Sequence, residues 1–214
     1  VVIDNDFQDT TVSAAIPQTQ EEILHAIREA GIVGMGGAAF PGNVKALSAM
    51  GKIDTLIANA CECEPYITAD DSLLRTEPEH VLEGMEILRQ ILKPDRVVLA
   101  VEDNKTQAIE KVRGLLNSHP GIELVILPTR YPQGAEKQLV QSVTGREVEP
   151  GKLPASAGCA VFNVSTYAAI YRAVRLGMPL IQRIVTISGE AIAEPQNFIV
   201  RIGTPFHDLI EAAN

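Results

Sequence analysis

The feature that most constrains the fold is an alternation of short apolar segments with longer amphipathic ones. The short segments are typical of buried strands, and the longer ones repeat apolar residues with the period of a helix. Strands that alternate with helices predict an α/β domain, with a mostly parallel sheet flanked by helices on both faces. The predicted strands span residues 53–60, 96–101, 122–127, 159–164, 183–190 and 198–203.

Capping residues mark several of the predicted helix starts. Thr19 and Glu22 form one capping box, Thr76 and Glu79 predict a second, and Asn104 is expected to cap a third helix. The predicted helices span residues 19–30, 76–92, 104–116, 134–143, 166–176 and 205–213.

The chain of 214 residues fits a single domain with a substantial core. Residues 1–20 have no strong periodicity and are expected to form an N-terminal arm, so the α/β domain is assigned to residues 21–214. The Pro/Gly-rich stretch at 145–158 is the one long loop that we predict.

Charge and apolar content exclude several classes of function. The net charge of -9 argues against a nucleic-acid partner and against direct docking on anionic lipid. No apolar run approaches the ~20 residues that cross a bilayer, and the first residues lack a secretory signal, so we expect no direct membrane span. Any association with a membrane is expected to come through partners or through parts absent from this sequence.

The three cysteines, Cys61, Cys63 and Cys159, do not form a disulfide framework, which favours a reducing compartment. They are too few for a four-cysteine iron–sulfur cluster. The closely spaced pair could hold a metal only with ligands from elsewhere, so we expect no metal site and interpret both thiols as small apolar fillers.

A glycine-rich segment, GIVGMGGAAFP, follows the first predicted helix at residues 31–41. Glycines remove side chains where backbone N–H groups must come close to a phosphate or a flavin edge. The segment follows a helix and lacks GxGxxG, so it is not a dinucleotide fingerprint, and a tight connection needing positive φ is the alternative. Lys45 adds a cation suited to a phosphate or a reduced flavin.

A polar turn, NACECEPY, follows the strand predicted at 53–60. Ligands of open α/β sheets bind beyond the carboxyl ends of the strands. Asn59, Glu62 and Glu64 could fix a ribityl chain or accept from ribose hydroxyls, and a solvated acidic turn is the alternative.

Two further segments could complete a site. Tyr131 could stack or donate a hydrogen bond, and Gly134 is predicted to open a helix whose amino end favours phosphate; Glu136 and Lys137 are better interpreted as surface charges. Asn163 and Ser165 stand where a predicted strand passes into a helix, and the default interpretation is that one of the two is the helix cap. We hypothesise that these segments converge on one edge of the sheet.

The four histidines, His25, His80, His119 and His207, are scattered and belong to no recognisable nucleophile motif. A hydrolase is therefore not expected, and we assign no general acid or base.

These motifs resemble the C subunit of the Rnf electron-transport complex. The likeness rests on GIVGMGGAAFP, NACECEPYITADD, EDNK, YPQGAEKQL, TGREV, FNVSTYAAIY, VTISGEAI and RIGTP, which occur in matching order from about residue 21 to 210. The same core is similar to the flavin-binding, NADH-oxidising 51 kDa subunit of respiratory complex I and to the cobalamin reductase of propanediol-utilising microcompartments.

The resemblance implies a fold like the FMN-binding domain of that 51 kDa protein, with non-covalent FMN and NADH or NAD as the redox partner. The implied flavin contacts are Gly34, Gly36, Gly37, Lys45, Asn59, Glu62, Cys63, Tyr131, Gly134 and Asn163. Phe40 and Glu64 match positions that face the nicotinamide nucleotide.

Three positions depart from the family pattern. Ala39 stands where the family usually has a third close glycine, and the segment 41–43 (PGN) replaces Pro-Thr-His or Pro-Thr-Gly. Cys61 stands where the complex I relative has an acidic residue, which weakens the transfer of the NADH contacts more than that of the FMN contacts. The family's ferredoxin-like part, with two four-iron clusters, has no counterpart cysteines in this sequence.

The expected function is therefore electron transfer from NADH through FMN to 4Fe-4S clusters outside this sequence, or the reverse, in partnership with other proteins of the Rnf complex. The expected location is cytoplasmic, peripheral at the inner face of the cell membrane. A cobalamin reductase is the alternative with the same chemistry. A flavin-free scaffold or assembly module is the alternative of another class.

Overall fold

A computed structural model describes residues 8, 10 and 15–213. Most of the predicted N-terminal arm, residues 1–20, therefore lies outside the described residues. Within the described part, no helix combines the length and apolar character needed to cross a bilayer.

The centre of the domain is a parallel sheet of four strands in the order β3-β2-β1-β4. The strands are β1 Thr55–Ala60, β2 Arg96–Glu102, β3 Ile122–Leu127 and β4 Cys159–Asn163. All three neighbouring pairs run parallel, so the carboxyl ends of the four strands lie along one edge. The predicted parallel sheet is confirmed.

Alternate residues of the strands face two different cores, as the period of two requires. On one face, Leu56 and Leu99 join the large core that is covered by the helices α1 Gln20–Glu29, α4 Pro78–Leu92, α5 Thr106–Leu115 and α7 Val164–Leu176. On the other face, Ile57 and Val98 pack with the helix α6 Glu136–Thr144. The sheet is therefore covered on both faces, as the sequence predicts.

Two helices of eight residues each were not predicted. Helix α2, Gly42–Ala49, follows directly on the glycine-rich segment, and α3, Ala69–Thr76, follows the polar turn after β1. Both are short, and neither start carries a side-chain cap bond, so they lack the local signals that mark the predicted helices. Lys45 consequently lies on a helix.

The predicted caps meet different outcomes. The capping box of Thr19 and Glu22 is confirmed. The box of Thr76 and Glu79 is wrong, because Thr76 ends α3 and Glu77 precedes α4, where Pro78 takes the first helical position. The expected Asn104 cap is also wrong, since Lys105 occupies the capping position of α5 without a side-chain bond.

The last predicted strands do not join the parallel sheet. They form a separate antiparallel pair, β5 Gln182–Ile187 and β6 Gln196–Arg201, which precedes helix α8 Phe206–Ala212. Asn197 of this pair donates through Nδ2 to the Thr68 hydroxyl (2.9 Å), and the Thr68 N–H donates to Thr186 Oγ1 (3.1 Å). These bonds dock the hairpin beside the amino end of α3, next to the carboxyl edge of the sheet.

Candidate functional site

A cleft lies along the carboxyl edge of the sheet. Its larger part has a volume of about 560 Å³, and an adjoining part has about 260 Å³. The two parts share a lining of Gly36, Asn59, Gly134, Ala135 and Asn163, so they form one continuous space. The glycine-rich segment, the turn after β1, the 131–135 turn and the end of β4 all contribute, so the predicted convergence of these segments on one edge is confirmed.

The structure places every predicted site residue on this cleft. The larger part is lined by Gly36, Gly37, Asn59, Glu62, Cys63, Glu64, Tyr131, Gly134 and Asn163. The adjoining part is lined by Gly34, Phe40 and Lys45, together with four of the residues just named, Gly36, Asn59, Gly134 and Asn163. Phe40 and Glu64 therefore lie on different parts of the cleft, and both are exposed.

The glycine-rich segment folds back on itself beside the cleft. The Gly34 N–H donates to the Phe40 carbonyl (2.8 Å), and Val33 pairs with Pro41. Ala39 has φ of 50°, in the left-handed region that favours glycine. Ala39 therefore adopts, at a steric cost, a backbone conformation that a glycine would adopt freely. This agrees with the glycine that the family pattern predicts at this position.

At two glycines of the cleft, a side chain would come too close to a neighbouring residue. A Cβ on Gly36 would lie 3.3 Å from Cβ of Asn163. A Cβ on Gly134 would lie 2.1 Å from the carbonyl oxygen of Cys61, which is far inside contact distance. Gly134 does not open α6, which begins at Glu136; it brings the 131–135 turn against the turn after β1.

Asn59 joins these two turns. Its Nδ2 donates to the Gly134 carbonyl (2.8 Å), and its Oδ1 accepts from the Cys61 N–H (3.0 Å). Each Asn amide nitrogen carries two hydrogens, so one Nδ2 hydrogen remains for a ligand. Cys61 is buried, as expected for an apolar filler, and burial raises the pKa of its thiol.

Lys45 is held over the adjoining part of the cleft. Its Nζ lies 2.5 Å from Glu136 Oε1 and 5.1 Å from the centre of the Phe162 ring. Glu136 is exposed, as expected of a surface charge, and it also pairs with this lysine and lines the cleft. Lys137 points elsewhere and donates to the Glu149 carbonyl (2.9 Å).

The carboxylate of Glu62 lies at the amino end of α3. It accepts the backbone N–H groups of Asp70 (3.0 Å) and Asp71 (3.4 Å), and Lys105 Nζ lies 3.8 Å away. The Glu62 side chain is only 6% exposed. Burial and then the neighbouring Asp70 raise the pKa of Glu62 to about 7.

Asp70 lines the cleft and bonds two residues at the start of α7. Asn163 Nδ2 donates to Asp70 Oδ2 (2.5 Å), and the Ser165 hydroxyl donates to Asp70 Oδ1 (2.7 Å). Asn163 also caps α7, because its Oδ1 accepts the Ser165 N–H (2.9 Å). The cap interpretation is therefore confirmed, and the same asparagine lines the cleft.

Sequence reasoning missed Met35, Asp70, Ser165, Arg183 and Ile184. Asp70 and Ser165 stand inside motifs that drew attention for other residues, so their polar character was a usable signal. Arg183 and Ile184 come from the β5–β6 hairpin, and no local pattern indicates that this hairpin reaches the cleft. Among the described residues, no group of three or more His, Cys, Asp or Glu is arranged to hold a metal ion.

Comparisons with known proteins agree with this architecture. The sequence profile of the Nuo51 FMN-binding domain matches residues 27–172. The flavin-free alternative has no support from this match, which favours FMN as the ligand. The expected fold is confirmed by a crystal structure of an NAD+-reducing [NiFe]-hydrogenase in the air-oxidized state, with a TM-score of 0.78 and 26% identity over 92% of this chain and 39% of that one.

Curated relatives confirm the resemblance to the C subunit of the Rnf complex. The chain is 46% identical to the C subunit of the ion-translocating oxidoreductase complex of Haemophilus influenzae (strain Rd), over 91% of this chain and 24% of that protein. It is 47% identical to the C subunit of the proton-translocating ferredoxin:NAD(+) oxidoreductase complex of Clostridium ljungdahlii, over 99% of this chain and 48% of that protein. The chain thus spans about a quarter to a half of these relatives. With this match and this fold, the chain belongs to the Nuo51 FMN-binding domain family.

Proposed function

We propose that the chain binds FMN non-covalently in the cleft at the carboxyl edge of the sheet and exchanges electrons with NAD(H). The observation that carries this proposal is the cleft itself, which residues from four separate segments line and where Gly36 and Gly134 present backbone without a side chain. The family assignment supplies the identity of the ligand.

The residues present fit a flavin mononucleotide. A volume of about 560 Å³ with an adjoining 260 Å³ lies within the range of small-molecule sites, roughly 300–1,000 Å³. Gly36 and Gly37 expose backbone to the cleft, while Asn59 and Asn163 supply amide groups. The lining combines apolar surface with a few fixed polar groups, as cofactor sites require.

The proposed flavin contacts are Gly34, Gly36, Gly37, Lys45, Asn59, Glu62, Cys63, Tyr131, Gly134 and Asn163. Lys45 provides the cation, and its partner Glu136 holds it at the cleft until an anionic ligand competes for it. Asn59 and Asn163 are fixed by their own protein bonds, which pre-orients them for a ligand.

FMN, when bound, supplies the conversion between a two-electron hydride and single electrons. The chain's own contribution is to position the cofactor and to set the charge around it, and no side chain acts as general acid or base. We propose that Phe40 stacks on the nicotinamide nucleotide and that Glu64 accepts from ribose hydroxyls. An extended dinucleotide suits their placement on different parts of the cleft.

We further propose that the electrons pass to 4Fe-4S clusters outside this sequence, within a membrane-associated, ion-translocating complex of the Rnf type. The names of the two curated relatives motivate this partnership. The proposed location is therefore cytoplasmic and peripheral, at the membrane surface through the other proteins of the complex.

Titration of the purified protein with FMN tests the proposal through flavin absorbance and quenching of flavin fluorescence. Wild type is expected to bind, whereas Gly36→Val is expected to bind about 10- to 100-fold more weakly, because its side chain enters the space beside Asn163. Gly114→Val is the matched control, since a Cβ on Gly114 meets nothing within 4 Å.

Circular dichroism of both variants checks that the fold is intact. Equal FMN affinity in wild type and Gly36→Val would place the ligand elsewhere. A wild type that does not bind added FMN would refute the proposal and favour a flavin-free scaffold.

A further inference from the structure

Three carboxylates surround one lysine beside the cleft. Lys105 interacts electrostatically with Glu62, Asp70 and Glu102, and the lysine side chain is only 12% exposed. Glu102, at the carboxyl end of β2, is 1% exposed, and its Oε1 has no hydrogen-bond partner among the described residues. If all three carboxylates were ionised, their negative charge would exceed the single positive charge of Lys105 in a region with little solvent. Protonation of one carboxylate is the simplest way to reduce this net negative charge.

The other charged groups near this cluster do not remove the excess. Arg183, on β5, is a second positive charge that acts on Asp70, which still leaves three carboxylates against two cations. Asp71 is paired with Arg75 at 3.0 Å, and Asp103, a further negative charge, accepts from Thr129. Asn163 and Ser165, which contact Asp70 from the α7 side, are neutral.

The hydrogen bonds indicate which carboxyl can carry the proton. Both oxygens of Glu62 accept backbone N–H groups, so a proton there would displace a donor. Asp70 Oδ2 must accept from Asn163 Nδ2, because the Asn163 Oδ1 is committed to the Ser165 N–H. Asp70 Oδ1 faces the Ser165 hydroxyl, and a hydroxyl can either donate to a carboxylate or accept from a carboxylic acid.

We propose that Asp70 is a positioning residue that holds a proton, shared in effect with Glu62. When a ligand binds in the cleft, this pair of carboxyls takes up further proton from solvent, while Asn163 and Ser165 keep their places. The inference rests on the proposed FMN site. Burial raises the pKa of both carboxyls, each in the presence of the other. An anionic or desolvating ligand shifts the pair further toward protonation, so affinity for the ligand falls as the pH rises.

The test is FMN binding by calorimetry from pH 6 to 8.5, in buffers of different ionisation enthalpy, which counts the protons taken up. Wild type is expected to take up a fraction of a proton, with a dissociation constant that rises about fivefold or more across this range. Asp70→Asn can keep both hydrogen bonds, with its Oδ1 toward Asn163 and its Nδ2 toward Ser165. This variant is expected to bind FMN with a flatter pH profile and with tighter binding than wild type at pH 8.5.

Two variants separate the proton from the geometry. Asp70→Ala removes the acceptor of Asn163 and is expected to weaken FMN binding at every pH, about tenfold, with no gain at high pH. Asp71→Asn, the same chemical change one residue along, is expected to keep the wild-type proton uptake. The ionisation of the FMN phosphate is common to all variants and cancels in their differences.

An independent measurement uses no flavin. Infrared difference spectra of the ligand-free protein across pH 6–8.5 are expected to show the carbonyl stretch of a protonated carboxyl that disappears in Asp70→Asn and persists in Asp71→Asn. FMN binding with equal proton uptake in wild type and Asp70→Asn would overturn the inference and leave the flavin site standing. Absence of FMN binding at every pH would remove the proposed function and this inference together.

Discussion

At the amino edge of the sheet, charged groups are exposed and matched one to one. Just before β1, Asp54 Oδ1 lies 2.8 Å from Arg146 Nη1. At the start of β2, Arg96 Nη2 lies 2.5 Å from Glu123 Oε2. At the carboxyl edge, by contrast, Glu62, Asp70 and Glu102 form a cluster that is shielded from solvent and outnumbers the lysine that the three share.

The pKa shifts of Asp54, at the amino edge, and Glu62, at the carboxyl edge, have opposite directions. The hydrogen bond from Arg146 lowers the pKa of Asp54, whereas burial raises the pKa of Glu62 to about 7. Exposed pairs contribute little to stability, and a shielded uncompensated acid opposes folding when it is ionised. The ion pairs at the amino edge thus fit a structural role. The shielded carboxylates at the carboxyl edge lower the stability of the fold when they are ionised, as is expected at a ligand-binding site.

Among the substitutions that test this contrast, Gly134→Ala at the carboxyl edge is expected to have the largest effect. A Cβ only 2.1 Å from the Cys61 carbonyl forces the 131–135 turn away and breaks the Asn59 bond to Gly134. We expect a loss of about 3 kcal/mol in the free energy of unfolding, measured by urea denaturation, together with loss of FMN binding. Gly114→Ala, in open space on α5, should be at least as stable as wild type; equal stability of the two variants would contradict the close approach.

Glu62→Gln should have a smaller effect, which depends on pH. Because the folded pKa of Glu62 is raised from 4.5 to about 7, ionisation costs stability as the pH rises between these values. Gln has one oxygen for two backbone N–H donors, so it loses one acceptor at every pH. The stability of the variant relative to wild type is nevertheless expected to rise by about 2 kcal/mol between pH 4.5 and pH 8. Denaturation curves at both pH values measure the difference; a gap that stays constant with pH would show that Glu62 is not the group responsible.

Asp54→Asn at the amino edge should have the smallest effect. The pKa of Asp54 in the folded protein is lowered from 3.8. The ionised carboxylate therefore stabilises the folded state above that pH, and this stabilisation is lost as the pH falls. We expect the variant to be less stable by about 0.5 kcal/mol at pH 7, with the gap closing in acid and in high salt. A cost comparable to that of Gly134→Ala would mean that the two edges do not differ as described.

Local patterns predicted much of the fold and the approximate place of the site. The alternation of strands and helices, the Thr19 cap and the glycine-rich segment are readable because each depends on neighbours within a few residues. Helices α2 and α3 escaped prediction because they are short, and short helices owe most of their stability to tertiary packing. Arg183 escaped because a contact between distant segments leaves no local pattern.

The sequence by itself determined the order of the elements, the parallel sheet and the segments that carry polar groups. The tertiary structure alone decided that Asp70 would meet Asn163 and Ser165, that Lys45 would be paired with Glu136, and that a hairpin would border the cleft. The physical reason is that chemical identity resides in each residue, whereas solvation and charge coupling depend on what the fold brings within a few ångströms.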